Sequence, residues 1–115
     1  MEVVRGEVWW ADLPEPVASD PGGTRPILVV QANPFNRSRM ATVLAVILST
    51  NERLAFSPGN VVLSTRDTGL KQASVANVSQ IVTADRTFLR ERIGRIRAEA
   101  MARVDSGLRL VLGLT

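Results

Sequence analysis

Ile27-Leu28-Val29-Val30 is an unbroken aliphatic run, set behind Gly22-Gly23-Thr24-Arg25-Pro26 and closed by Gln31. A run this short, rich in β-branched side chains, reads as a strand covered by apolar neighbours on both faces. That requirement constrains the fold more than any other stretch. Pro26 suits the first position of a strand, where its missing N–H costs least. It also biases Arg25 toward an extended backbone. Arg25 therefore stands as a cation at a strand entrance beside a glycine-containing loop, a post at which an anion can be held. On these residues alone, an ordinary surface arginine after a turn is the simpler reading.

The flanking segments add strands in short, turn-bounded pieces. Glu7 to Leu13 forms a first strand whose adjacent tryptophans, Trp9 and Trp10, point to opposite faces, one into the core and one against a groove or partner. Pro14 to Gly23 has no hydrophobic period and makes a loop long enough to serve as a lid. Ala32 to Arg39 is a turn or short helix. Thr42 to Leu48 is a third, central strand that ends at Ser49-Thr50-Asn51, residues that either close a hydrogen-bonded turn or offer hydroxyls to a phosphate.

Ser57-Pro58-Gly59-Asn60 is a turn, Val61 to Leu63 a short strand and Arg66 to Gly69 another turn. Ser74 to Thr83 is a longer strand carrying Asn77 and Gln80, Asp85 caps a helical turn near Phe88, and Ile93 to Ile96 is a last short strand. Met101, Val104, Leu108 and Val111 fall on one helical face. The sum is an α+β domain: a small, curled, barrel-like sheet with a C-terminal helix.

Composition then narrows the chemistry. The 115 residues make one domain, and no apolar run approaches the ~20 residues of a membrane span. The start, Met1-Glu2-Val3-Val4-Arg5, lacks a secretory apolar stretch, and Cys is absent, so a soluble, cytoplasmic protein is expected. His is absent too, which removes the commonest general base and most transition-metal sites. Any catalysis must run on Arg, Asp or Glu, Ser or Thr, or a hard metal. Thirteen of the 14 basic residues are Arg, the side chain suited to forked contact with phosphates. A net charge of +3 permits a nucleic-acid partner without requiring one.

Arg5-Gly6-Glu7-Val8-Trp9, Asp12-Leu13-Pro14, Ser19-Asp20 and Arg25 to Gln31 together resemble the opening of the MazF/PemK/Kid toxin family. The likeness continues through Pro58-Gly59-Asn60-Val61, Ser74-Val75, Gln80 to Thr83, Ile93-Gly94 and Val104 to Leu108, in order along nearly the whole chain. The resemblance implies an SH3-like antiparallel barrel, a homodimer, and metal-independent cleavage of single-stranded RNA that leaves a 2′,3′-cyclic phosphate and a 5′-hydroxyl. It also implies a cognate antitoxin whose acidic, partly disordered C-terminal tail lies in the same groove.

By that likeness Arg25 takes the catalytic arginine position, and Ser49 stands where the family usually has threonine. Asp20 stands for an acidic residue, usually glutamate, of a Gly-Ser-Glu-Gln lid stretch that here reads Ala18-Ser19-Asp20-Pro21. Ser19, Thr24 and Gln80 fall along the RNA path. Splayed bases need polar readers and flat stacking partners, for which Asn36, Thr50, Asn51, Asn77 and Gln80, with Phe35, Phe56 and a tryptophan, are the candidates. Two other readings are a gyrase-binding toxin like CcdB, which shares this fold, and a non-catalytic RNA-binding barrel. The ending Gly113-Leu114-Thr115 lacks the Trp-Gly-Ile by which CcdB toxins act.

Overall fold

The computed structural model describes residues 2–14 and 23–114. In chain order the elements are β1 (Glu7–Leu13), β2 (Gly23–Val29), α1 (Asn33–Asn36), β3 (Thr42–Ser49), a 3-10 turn (Glu52–Phe56) and β4 (Val61–Leu63). There follow α2 (Thr65–Thr68), β5 (Ser74–Asp85), a second 3-10 turn (Arg86–Phe88), β6 (Leu89–Arg95) and α3 (Ala98–Leu112). The six strands form one antiparallel sheet in the order β4-β5-β3-β2-β1-β6. The sheet curls into a half-barrel with α3 packed on it, which is the expected α+β architecture.

Both faces of the central strands are apolar, and this is why Ile27, Leu28 and Val29 follow one another without a polar break. On one face Trp9, Ala11, Leu13, Ile27, Val29, Val43, Ala45 and Ile47 pack with Val3 and Leu89. On the other, Val8, Leu28, Val46, Leu48 and Ala76 pack against Val61, Leu63 and the α3 residues Ala100 and Val104. Fully burying one such side chain contributes roughly 1.5–3 kcal/mol. The tryptophans divide as expected, Trp9 in the core and Trp10 partly exposed.

Two strand starts and the buried face of the C-terminal helix differ from the sequence reading. β2 begins at Gly23 rather than Pro26, because pairing with β1 already runs from Gly23 while pairing with β3 starts only at Ile27. β6 begins at Leu89 rather than Ile93. It is an edge strand whose Arg90, Glu91 and Arg92 look to solvent, so it carries no apolar run to announce it. The buried face of α3 is centred on Ala100, Val104 and Gly107, and Val111 is exposed with Leu110 and Leu112. Gly107 sets that rotation by lying against Gly59, where a Cβ on Gly107 would run into the Gly59 carbonyl. Among the described residues no helix is long and apolar enough to cross a membrane.

Candidate active site

Arg25 sits on β2 opposite Ala11 of β1. Its side chain is half-buried, and its Nε is shielded from solvent. The ladder between β2 and β3 pairs Val29 with Ala45, Leu28 with Val46 and Ile27 with Ile47. The ladder ends there; its register, extended by two residues beyond the last pair, would bring Arg25 opposite Ser49 at the end of β3. Side chains alternate along strands, so Arg25 shares a face with Ile27 and Ser49 shares that same face with Ile47. Ser49 Oγ accepts a hydrogen bond from the Asn51 N–H at 3.1 Å. That contact occupies an acceptor site and leaves the hydroxyl proton available to donate.

Asn77 lies next to this pair, on β5 opposite Ile47. Immediately beyond it the β3–β5 register jumps, with Val46 pairing to Ile81, so residues 78–80 form a bulge. Bulges of this kind re-aim side chains beside functional sites. Amides fix its shape. Asn77 Nδ2 donates to Gln80 Oε1 at 2.8 Å, and Asn77 Oδ1 accepts from Ser79 Oγ at 2.9 Å and from Asn60 Nδ2 at 3.3 Å. Asn60 Oδ1 in turn accepts from the Val78 N–H. Asn77 is itself buried, so it holds Gln80 in place, and Gln80 is the half-exposed end of the network. Phe56, on the 3-10 turn that follows β3, is 90% exposed.

Other residues grouped with these from the sequence are not brought to this face. Thr24 alternates to the opposite side of β2, and its Oγ1 donates to Asp12 Oδ1 at 2.7 Å. Thr50 lines a separate hollow of about 490 Å³ with Trp10, Pro26, Leu70 and Lys71. Asn51 is the exception: its N–H donates to Ser49 Oγ, while its Oδ1 caps the following 3-10 turn by accepting from the Arg53 N–H. Asn36 is a correction of position: it is buried at the far end of the sheet, donating to the Gln31 carbonyl and accepting from Gln31 Nε2. A buried side chain with its oxygen and amide engaged is a turn-former, not a reader of bases. Phe35, on α1, lies at that far end as well. Ser19 and Asp20 lie outside the described residues.

One element escaped the sequence reading altogether. Asp12 accepts from Thr24 and, through Oδ2, from Arg90 NH1 at 2.6 Å. Arg90 and then Thr24 hold the Asp12 carboxyl below its ordinary range. Asp12 and Thr24 are paired residues of β1 and β2, so this clamp crosses the neck of the segment between the strands, one position from Arg25. The only sequence signal was Asp12 standing just before Leu13-Pro14, since its partner Arg90 is 78 residues away. Among the described residues no three carboxylates gather in a way that could hold a metal ion.

Residues 4–112 match the family model described as PemK-like, MazF-like toxin of type II toxin–antitoxin systems. The chain is 47% identical over 114 residues to the endoribonuclease MazF6 of Mycobacterium tuberculosis, covering 99% of this chain and 100% of that one. It is 35% identical to the endoribonuclease EndoA of Bacillus subtilis, over 99% of this chain and 97% of the relative. Among solved structures, a mycobacterial endoribonuclease in complex with its cognate antitoxin superposes with a TM-score of 0.80 at 29% identity, over 98% of this chain and 97% of that one.

Proposed function

Because the chain belongs to the family of PemK-like, MazF-like toxins of type II toxin–antitoxin systems, we propose that it is a sequence-specific endoribonuclease and the growth-inhibiting member of such a pair. The observation that supports this reading is the β2–β3 register, which, extended two residues beyond its last pair Ile27–Ile47, would bring Arg25 and Ser49 to neighbouring strand ends on one face. A forked, permanent cation beside a hydroxyl donor makes a cradle for one phosphodiester.

In this reading an RNA 2′-oxygen attacks the adjacent phosphorus and the bond from phosphorus to the 5′-oxygen breaks. The products are a 2′,3′-cyclic phosphate and a 5′-hydroxyl. Arg25 binds the non-bridging oxygens and neutralises the charge that builds on them, while Ser49 donates to one of them. Arginine stays protonated in proteins, so it does not take the proton from the 2′-hydroxyl. With His absent, Asp20 is the proposed acceptor, on the strength of the family likeness. The 5′-oxygen takes up a proton from solvent as it leaves, and Asp20 returns its own to solvent afterwards. Gln80, held by Asn77, and the exposed ring of Phe56 serve as base contacts flanking the cut.

The partners proposed are single-stranded RNA, a cognate antitoxin with an acidic tail, and a second copy of the chain. Exposed Leu110, Val111, Leu112 and Leu114 at the end of α3 support a self-association surface. The test is to incubate an unstructured RNA with the protein in EDTA and analyse the ends. Cyclic phosphate and 5′-hydroxyl termini that disappear with Arg25→Ala are the expected result, and intact RNA rejects the reading. Asp20→Asn then tests the base, since an unchanged single-turnover rate with RNA still bound would remove Asp20 from that role.

A further inference from the structure

The end of the sheet remote from Arg25 and Ser49 carries a second concentration of cations. Arg37 and Arg39 follow α1, and Arg86 opens the turn after β5. With Ser38 and Met40 they wall an open hollow of about 680 Å³, on which Glu2 is the one carboxylate among the described residues. Arg86 is fastened in place: its Nε donates to the Met40 carbonyl at 2.6 Å, and NH2 donates to those of Asn36 at 2.7 Å and Phe35 at 3.3 Å. Carbonyl acceptors orient a guanidinium without cancelling its charge.

Arg5, Arg90, Arg92 and Arg97 are each in an ion pair; Arg37, Arg39 and Arg86, like Arg53, Arg66, Arg95, Arg103 and Arg109, are in none among the described residues, and what sets the three apart is that they line one hollow. Phe35, whose backbone carbonyl Arg86 holds, stands one residue before the lining residue Asn36 and leaves 55% of its surface exposed. One exposed aromatic is unremarkable alone. Next to three arginines that outnumber the one carboxylate, Glu2, it makes the pairing of flat apolar face and positive charge that binds single-stranded nucleic acid. An acidic peptide would use the arginines but has no need of the ring.

The separation from the cleavage face is set by strand geometry. From Arg25 to Gln31 the extended chain covers roughly 20 Å at ~3.3 Å per residue. We propose that this hollow is a second RNA-binding site, taking a backbone phosphate of the same strand roughly 20 Å or more from the cut bond, with a base laid on Phe35. The inference rests on the ribonuclease reading and deepens it: the substrate is a single strand several nucleotides longer than the cleavage motif.

The test uses the full chain and a mixed-sequence RNA of roughly 20 nucleotides, 2′-O-methylated throughout so that it has no attacking hydroxyl. Binding is followed by fluorescence anisotropy over a salt series, for the parent and for the double variant Arg37→Ala/Arg39→Ala, with an RNA of roughly 3 nucleotides, too short to span the two sites, for comparison. Both arginines are exposed, and circular dichroism verifies that the variant is folded. Arg86 is left intact because it ties three carbonyls. The expected result is about a tenfold loss of affinity for the longer RNA and a salt slope shallower by ~0.7, the share of the one phosphate contact removed. Binding of the short RNA stays unchanged.

Equal binding of the long RNA by parent and variant overturns the proposal, as does an equal loss on both lengths. So does an acidic peptide of roughly ten glutamates that the substitutions release while RNA binding is untouched, which would make the hollow a protein site. Failure of the nuclease reading shows differently, as absence of cleavage by the parent, and leaves the length and salt comparisons readable.

Discussion

Asp67 holds Arg97 by backbone and side chain at once. Its Oδ1 accepts from the Arg97 N–H at 3.0 Å and from Nε at 2.9 Å, and its Oδ2 accepts from NH2 at 3.1 Å. Arg97 is the residue that caps α3, so the α2 turn carries the anchor of the C-terminal helix. The Asp67 carboxylate is buried, and the Arg97 side chain is mostly in water.

The pair predicts an acid limb to stability. Hydrogen bonding by Arg97 lowers the Asp67 carboxyl to about 2, against the burial that opposes it. A depressed carboxyl stabilises the fold above its unfolded value near 4, and the contribution is lost as pH falls from about 4 toward 2. It amounts to about 1–2 kcal/mol once the exposure of Arg97 is allowed for. Thermal melts should fall over that window and be flat for this group above about pH 5. Asp67→Asn should lower the melting temperature at neutral pH and flatten the acid limb. A parent-like limb in the variant would assign the acid sensitivity to other carboxyls.

Gly107→Ala should destabilise. In an exposed helix interior this change gains about 1 kcal/mol. Here the new methyl meets the Gly59 carbonyl, and overpacking of this kind costs roughly 1–3 kcal/mol. Denaturant titration gives the sign directly, and a stabilised variant would mean that α3 can shift away from the 57–60 turn at little cost.

Ser49→Thr should keep cleavage close to the parent rate, because the hydroxyl is retained. Ser49→Ala should lose about 10² in single-turnover rate, the scale for removing one donor to a developing oxyanion. The alanine variant also frees the Asn51 N–H from its acceptor. Asn51→Pro removes that N–H while keeping the serine, and its comparison with Asn51→Ala, which loses only the Oδ1 cap on the Arg53 N–H, separates the two effects. If the proline variant alone loses as much rate as Ser49→Ala, Ser49 acts by shaping the turn.

Asp12 is expected to act as a positioning residue for Arg25. Asp12→Ala removes the acceptor of both Thr24 and Arg90, and should lower kcat about tenfold with little change in KM, as small misplacements of a reacting group do. Asp12→Asn keeps an oxygen for Thr24 and should recover part of the rate. A change confined to KM would place Asp12 in RNA binding instead.

Much of this protein was legible along the chain. Ile27 to Val29 had to be covered on both faces, since three successive aliphatics cannot all point one way from a strand. Trp9 and Trp10 had to part. Asp85 announced its cap and accepts the Thr87 N–H accordingly. These are consequences of a period of two and of local hydrogen bonding, which neighbouring residues settle between themselves.

What tertiary structure alone decided was which polar groups meet. Asn36 and Asn77 look alike in sequence, yet one is sealed at the far end of the sheet while the other fixes a bulge beside Ile47. Arg90 finds Asp12 across 78 residues, and Gly107 finds Gly59. A strand's own pattern says which face a side chain takes. Only the register between strands, and the packing that fixes it, says what stands opposite.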